Sequence, residues 1–266
     1  MSSENLLYEE RIIELEKKLL AGIEALNECK KESEDFIHIA SHDLQAPLRK
    51  LSTFVERLAH KSRGVLSEEA LTYIEKIETT VAGMRSLIDT LSALSGISGD
   101  ESGFIKCNLD EIMNDVITDA ELEAKNAVVS KASLPTVEGN PSQLKQVFTN
   151  VLDNAMKFQN NGTPPQVVIT SGTLTIEDKG ILNLDIDKLY YKIEFADNGI
   201  GFRQEYADKI FKPFVRLHGK AAYPGNGIGL SICKKIIEKH QGIIYANGNE
   251  NAGSRFVLIL PQTHTS

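Results

Sequence analysis

The first hundred residues carry the hydrophobic pattern of long amphipathic helices. Within residues 4–35, apolar and small side chains recur at alternating intervals of three and four, which is the spacing of a coiled-coil seam. The seam positions are Ile12, Leu15, Leu19, Gly22, Leu26, Cys29, Ser33 and Phe36. A short parallel coiled coil is the preferred interpretation. A single solvated helix is the alternative, because Gly22 and Ser33 weaken the seam.

From Ile37 the apolar stripe shifts by one position. It then runs through Ile37, Ala40, Leu44, Leu48, Leu51, Val55 and Leu58. Residues 60–66 predict a loop, and Ser67 is a plausible N-cap for a second helix. The stripe of that helix is Leu71, Ile74, Ile77, Val81, Met84, Ile88, Leu91 and Leu94. The two apolar faces are too broad for one hairpin to cover, so we expect two hairpins to form a four-helix bundle in a dimer.

A Gly- and Ser-rich stretch at residues 95–103 marks a linker, after which the pattern becomes mixed α/β. Strands are predicted near residues 104–107, 167–170, 190–196, 243–246 and 256–260, and helices over 109–125, 141–158 and 228–239. The Asp178–Gly180 stretch is interpreted as a hairpin tip. We therefore expect a coiled-coil segment at 1–35, a dimerisation domain at 36–99 and an α/β domain at 100–266.

Composition narrows the possible functions. The formal net charge is −8, with 41% hydrophobic and 25% charged residues, which is typical of a soluble globular protein. A negative surface disfavours nucleic-acid partners. No apolar run reaches the ~20 residues that a membrane span needs. The N-terminus lacks a secretory signal, so we expect a cytoplasmic location. Cys29, Cys107 and Cys233 are far apart, which does not favour a disulfide or a zinc site.

His42 is the first candidate for chemistry. At 100° per residue it lies about 160° from the centre of the stripe that starts at Ile37, so it is expected to face solvent. Asp43, the next residue, can hold the proton on one ring nitrogen while the other acts as a nucleophile. Pro47 predicts a kink nearby. An ordinary surface histidine is the alternative.

Asn150 and Asn154 lie four residues apart on a predicted helix and therefore share a face. Asparagine is a poor residue for the middle of a helix, so a pair of them needs a reason. Their carboxamide oxygens are suitable ligands for Mg²⁺, and the nearby Lys157 can meet a phosphate. Solvated or capping asparagines are the alternative.

Two glycine-rich turns complete the set of candidate sites. Asp197 ends an alternating strand and needs a hydrogen-bond donor, such as an adenine amino group, while Gly199 and Gly201 would let the backbone pass close to the ring. The second turn, Gly225-Asn226-Gly227-Ile228-Gly229-Leu230, opens a helix whose N-terminus can hold a polyphosphate. A plain turn and a flexible loop are the respective alternatives. Between them, Phe211 and Phe214 can anchor a lid, and Arg216 can reach a phosphate.

The order and spacing of these segments resemble the H, N, G1, F and G2 boxes of bacterial-type sensor histidine kinases over about residues 36–262. The resemblance implies an ATP-binding α/β sandwich domain of the gyrase, chaperone and histidine-kinase type. It implies that His42 receives the ATP γ-phosphate and passes it to an aspartate of a response regulator. It also implies that Asn154 is the better Mg²⁺ ligand, that Asp197 recognises adenine, and that Ser254 lies near the base. The H-box wording is similar to that of kinases linked to phytochrome or PAS sensors.

Two positions depart from the family pattern. Asp43 replaces the usual Glu and keeps the carboxylate. Ala46 stands where many members have Thr or Asn, a position linked to dephosphorylation of the regulator, so weak phosphatase activity is expected. A nucleotide-binding scaffold without chemistry and a gyrase- or chaperone-type ATPase are the rival functions. The sequence leaves open the stimulus, the regulator, whether phosphorylation occurs in cis or in trans, and whether the chain is a whole protein.

Overall fold

The computed structural model of this chain describes residues 3–61, 66–96, 103–120, 126–160, 162–217, 223 and 226–264. The chain divides into two compact units, residues 1–96 and 97–266. The predicted linker at 95–103 contains this division, although residues 97–102 lie outside the described part. Each unit has its own architecture.

The first unit is a helical hairpin. Helix α1 spans Ser3–Lys61 and α2 spans Glu68–Gly96. No break in α1 marks the expected boundary at residue 35, and α1 extends two residues into the predicted loop at 60–66. Ser67 caps α2 as expected, because its Oγ accepts the N–H of Ala70 at 3.3 Å.

Burial in the hairpin repeats every seven residues. The buried positions are Ser41, Leu48 and Val55 on α1, and Ile74, Val81 and Ile88 on α2. Three residues after most of these positions stands a large apolar side chain that is exposed: Leu44, Leu51, Leu58, Ile77 and Met84. Each helix therefore uses one half of a coiled-coil repeat within the hairpin and presents the other half outward.

The second unit is an α/β sandwich. Strand β1 (Ile105–Asn108) pairs with β3 (Thr136–Gly139) in a small antiparallel sheet. The main sheet contains β2 (Val128–Lys131), β4 (Gln166–Thr173), β5 (Tyr190–Asp197), β6 (Ile243–Asn249) and β7 (Gly253–Pro261). Its order is β2-β4-β5-β7-β6, and all neighbours are antiparallel except β2 and β4.

Three helices accompany the main sheet: α3 (Leu109–Asp119), α4 (Pro141–Lys157) and α6 (Gly229–Lys239). Period-2 alternation on β5 directs Ile193 and Phe195 towards α4, where Phe195 meets Phe148 at 5.7 Å between ring centroids. The neighbouring strand supplies Leu258 and Phe256 in register with this pair. The predicted helix at 109–125 is shorter than expected, since α3 ends at Asp119 and residues 121–125 lie outside the described part.

The predicted hairpin tip at Asp178–Gly180 is wrong. These residues lie inside a short helix, α5 (Ile176–Ile181), which begins with a capping box between Thr175 and Asp178. The segment covers the second face of the sheet. Leu174 there joins Tyr190, Val257 and Ile259 in a separate apolar cluster. The β4–β5 connection thus covers part of this face through residues on either side of α5, with Leu182 and Leu184 packed against the cluster.

Candidate functional site

His42 projects from α1 into solvent. Its side chain is 79% exposed and that of Asp43 is 73% exposed. The Nδ1 atom of His42 lies 3.3 Å from Oδ1 of Asp43. A carboxylate at this distance favours the tautomer that carries its proton on Nδ1, which leaves the lone pair on Nε2. The arrangement offers an exposed nitrogen nucleophile whose tautomer the neighbouring carboxylate favours.

The helix around His42 has a local defect. Pro47 lies inside α1 and has no N–H, so the Asp43 carbonyl lacks its usual helical donor. Ser41, the residue directly before the histidine, is fully buried, and its Oγ has no hydrogen-bond partner within the described ranges. The predicted apolar stripe did not include Ser41, so its burial was not expected from the sequence.

Asn150 and Asn154 both lie on α4, but their surroundings differ. Asn150 Nδ2 donates to the Gly229 carbonyl at 3.3 Å, which ties α4 to the start of α6. Its carboxamide also bonds the Cys233 thiol, whose pKa is raised by burial to about 12. The Asn154 side chain is half-buried and has no hydrogen bond to the residues that the structure describes. Asn154 therefore has the carboxamide that is free to meet a ligand.

Two cationic side chains approach each other beside this helix. The pKa of Lys157 is lowered, first by partial burial and second by the positive charge of Arg216. Lys157 Nζ lies 4.7 Å from the centroid of the Phe158 ring. Arg216 Nη2 donates to the Tyr223 carbonyl at 2.6 Å, and the Tyr223 ring meets that of Phe158 at 5.0 Å. An anion bound between the two cations would offset their repulsion.

Asp197 ends β5 in a largely buried position. Its Oδ1 accepts the N–H of Gly199 at 2.9 Å and the N–H of Ser254 at 3.1 Å. Burial nevertheless raises the pKa of this carboxyl above its ordinary value, against the opposing effect of these hydrogen bonds. The sequence predicted a carboxylate in need of a donor. The structure adds that two backbone donors hold one of its oxygens in place.

Gly199 and Gly201 allow a close approach, but to protein backbone. A Cβ at Gly199 would overlap the Phe158 carbonyl, and a Cβ at Gly201 would overlap the carbonyls of Asn249 and Gly253. Gly201 also has a φ of +61°, which favours glycine. The two glycines thus let the turn after β5 lie against the end of α4 and the β6–β7 turn, and their predicted approach to a base stays a prediction.

The second glycine turn opens α6, which begins at Gly229. The N–H groups of Gly229 and Leu230 precede the first intrahelical bond, from Ile232 N–H to the Ile228 carbonyl. Gly227 has a φ of +69° and lies against Val215 and Arg216. Gly225 lies outside the described residues.

The aromatic segment before this turn buries one of its two phenylalanine rings. Phe211 is buried beside Ile210, whereas Phe214 is exposed and has a φ of +63°. Of the two phenylalanines expected to anchor a lid, Phe211 is buried and Phe214 is not. The cause is the left-handed backbone at Phe214, which directs its ring outward.

Most of the residues predicted to bind nucleotide therefore lie near one another in the second unit. The end of α4, the turn after β5 and the start of α6 meet through the contacts of Asn150, Phe158 and Lys157 described above. Among the residues described, no cluster of three His, Cys, Asp or Glu side chains suits a metal ion. The helices described include no segment long and apolar enough to cross a membrane. Sequence reasoning missed Asn160, Cys233 and Tyr223, whose roles depend on contacts between distant segments.

Comparison with known proteins supports the nucleotide-binding interpretation of the second unit. Residues 139–264 match the family model described as "Histidine kinase-, DNA gyrase B-, and HSP90-like ATPase". The phytochrome-like protein Cph1 of Synechocystis sp. is 32% identical over 228 residues, which cover 85% of this chain and 29% of Cph1. The sensor protein kinase WalK of Staphylococcus aureus is 28% identical over 255 residues, covering 91% of this chain and 57% of WalK.

The fold comparison agrees with the sequence comparison. The crystal structure of full-length ShkA in complex with AMPPNP matches with a TM-score of 0.63 and 18% identity, over 87% of this chain and 47% of ShkA. The chain spans 29% of the length of the phytochrome relative and 57% of WalK. The helical hairpin and the α/β sandwich agree with these comparisons: residues 139–264 belong to the ATPase family that histidine kinases share with gyrase B and HSP90, and the chain is similar to sensor kinases over most of its length.

Proposed function

We propose that this chain binds ATP with Mg²⁺ in its second unit, transfers the γ-phosphoryl group to His42 and then passes it to an aspartate of a response regulator. The observation that carries the proposal is the exposed His42 ring, with Nδ1 held 3.3 Å from Asp43. In the transfer, the Nε2 lone pair forms a bond to the γ-phosphorus. The bond from phosphorus to the β–γ bridging oxygen breaks, and its electron pair leaves with ADP.

The nucleotide half of the proposal rests on three groups of residues. Asp197 is the acceptor for an adenine amino group. Lys157 and Arg216 supply positive charge for the phosphates. The free N–H groups of Gly229 and Leu230 supply the N-terminal end of a helix dipole. The net charge of −8 makes such local donors necessary, because the chain as a whole repels a polyphosphate.

The carboxamide oxygens of Asn154 and Asn150 are suitable ligands for Mg²⁺. Asn154 offers a half-buried carboxamide oxygen with no partner among the described residues. Asn150, the second candidate, keeps its Oδ1 on the same helix face while its Nδ2 is bonded to Gly229. Mg²⁺ bound to nucleotide usually takes few protein ligands and completes its shell with phosphate oxygens and water. The ion would neutralise phosphate charge at this position.

We place the homodimer in the helical hairpin. The exposed leucines Leu44, Leu51 and Leu58 form a continuous stripe beside the buried one. A second copy of the hairpin would cover this stripe and complete a four-helix bundle. The cytoplasmic location and the regulator partner follow from the same proposal. The loop that would set cis or trans transfer includes residues 62–65, which lie outside the described part.

Ala46 supports a further part of the proposal, namely weak phosphatase activity towards the regulator. Its exposed methyl group cannot hydrogen-bond a water molecule, whereas Thr or Asn can. Regulator dephosphorylation should therefore be slow. Fast dephosphorylation that depends on α1 would contradict this part without affecting the kinase proposal.

The test is incubation with Mg²⁺ and ATP labelled at the γ-phosphate. We expect an acid-labile, base-stable label on the wild-type chain. His42→Gln should abolish the label and keep ATP binding. His60→Gln is the matched control, because His60 is an exposed histidine on the same helix. Retained acid-labile label in His42→Gln would overturn the assignment.

The same experiment separates the rival functions. Binding of ATP without any labelling would favour a non-enzymatic scaffold. Steady release of phosphate without a phosphoprotein would favour an ATPase of the gyrase or chaperone type.

A further inference from the structure

Asn160 connects the end of α4 to the turn that follows Asp197. Its side-chain Nδ2 donates to the Asn198 carbonyl at 3.2 Å and to the Gly199 carbonyl at 3.0 Å. Both acceptors are carbonyl oxygens, so the amide nitrogen of Asn160 has to face them. The two acceptor residues lie 38 and 39 positions after Asn160 in the sequence.

The bond to Asn198 acts on a specific peptide plane. The Asn198 carbonyl and the Gly199 N–H belong to the same planar, trans peptide group and point in opposite directions. Asn160 holds the carbonyl side of this plane. The N–H side donates to Oδ1 of Asp197 at 2.9 Å. The orientation of the Asp197 carboxylate is therefore linked to Asn160 through one rigid group.

Other contacts hold the groups on either side of this plane. The Ile200 N–H donates to the Phe158 carbonyl at 2.9 Å. The Asn198 side chain bridges to Gln166 N–H at 2.8 Å and to the Pro164 carbonyl at 3.0 Å. Asn160 is the side chain in this set that reaches the turn from the segment just after α4, the helix that carries Asn150 and Asn154.

We propose that Asn160 is a positioning residue for base selection: it fixes the peptide that orients Asp197 and so sets the preference for adenine over guanine nucleotides. The proposal rests on the proposed function, since it assumes that Asp197 meets the base. It assigns Asn160 no contact with the nucleotide. Its effect should therefore fall on the base and leave the phosphate contacts unchanged.

The test compares equilibrium binding of ATP and GTP to the full chain, measured by calorimetry without any phosphorylation step. Asn160→Ala removes a donor shared by two carbonyls, a loss that corresponds to roughly 5- to 10-fold in binding. We expect ATP affinity to fall by about this factor, GTP affinity to change less than twofold, and the preference for ATP to fall accordingly. Asn160→Ser, which retains one short donor, should recover part of the preference.

The matched control is Gln159→Ala, which truncates the exposed neighbouring side chain. It should leave both affinities unchanged. Equal losses for ATP and GTP in Asn160→Ala, or an unchanged ratio, would overturn the positioning role. If the wild-type chain binds no ATP, the proposed function itself fails, and this outcome is distinct from a wild type that binds ATP while Asn160→Ala keeps its selectivity.

Discussion

The amide nitrogen of Asn150 lies 3.3 Å from the carbonyl oxygen of Gly229, so a side chain of α4 holds the first residue of α6. This contact links the asparagine ridge to the glycine turn. It explains why an asparagine is placed in the middle of a helix, where its intrinsic propensity is poor.

Asn150→Ala should therefore lower both stability and nucleotide affinity. The free energy of unfolding should fall by about 1 kcal/mol, the usual net value of such a bond. Asn150→Asp should cost more, because an oxygen would then face the Gly229 carbonyl. Urea denaturation gives the comparison, with Asp153→Ala, an exposed change on the same helix, as the control. An Asp variant as stable as wild type would show that the contact contributes little.

Asp197→Asn should abolish ATP binding without lowering the stability of the folded chain. Burial raises the carboxyl pKa in the folded state, so ionisation at neutral pH opposes folding. The sign is the reverse of that for a salt-bridged carboxylate, because acidification through the folded-state pKa towards the ordinary carboxyl pKa of 3.8 removes this cost.

The asparagine keeps an oxygen for the N–H groups of Gly199 and Ser254 and removes the buried charge. We expect an unchanged or higher urea midpoint at pH 7 together with loss of ATP binding. A clear drop in the midpoint would mean that the charge itself stabilises the turn.

His240 should make the second unit sensitive to acid. Its Nε2 accepts the Asn140 N–H at 3.0 Å, and its Nδ1 lies 2.7 Å from the Ile236 carbonyl, so the neutral ring satisfies both contacts. The ring stacks on Phe104 at 4.5 Å. Burial, and secondarily His264 and Lys239, lower its pKa from 6.5 to about 4.

The unfolded chain binds the proton first as the pH falls, so stability should be complete above pH 6.5 and decline between pH 6.5 and pH 4. The full loss corresponds to about 3 kcal/mol. Chemical denaturation across this range measures it. His240→Gln, which keeps one acceptor and one donor but does not titrate, should flatten that part of the profile. An equally steep profile in the glutamine variant would assign the effect to other groups.

Leu51→Glu should dissociate the proposed dimer. Leu51 belongs to the exposed stripe of α1, and a carboxylate there could not be buried against a second copy without a large desolvation cost. Sedimentation should show a monomer at concentrations where the wild type is a dimer. Lys50→Glu changes charge at an adjacent exposed position that lies off the stripe, and this variant should remain dimeric.

Periodicity explains which elements the sequence predicted well. The stripes of α1 and α2 repeat over many turns, and the apolar run of β7 is buried along its length, so both were recognisable. Strands β2 and β3 were missed, although β1, which also has four residues, was predicted; short strands of this kind give a weak pattern in the sequence. Helix α5 was misread because Asp178-Lys179-Gly180 contains turn-forming residues, although Thr175 and Asp178 carry the spacing of a capping box.

The residues of the candidate site could be named from the sequence, but the contacts between them could not. Motif spacing indicated Asn154, Asp197 and the glycines. It could not show that Asn160 reaches the turn after Asp197, or that Arg216 approaches Lys157, because such contacts depend on how distant segments fold together. The burial of His240 is a similar case, since its partner Asn140 lies 100 residues away.

The missing N–H of Pro47 has a mechanical consequence for α1. In an uninterrupted helix, bending at one point lengthens or breaks backbone hydrogen bonds. Here the bond to the Asp43 carbonyl is already absent, so bending α1 one turn beyond His42 disturbs one backbone hydrogen bond fewer than bending elsewhere in the helix. The direction in which the imidazole points can thus change while the rest of the 59-residue helix stays intact.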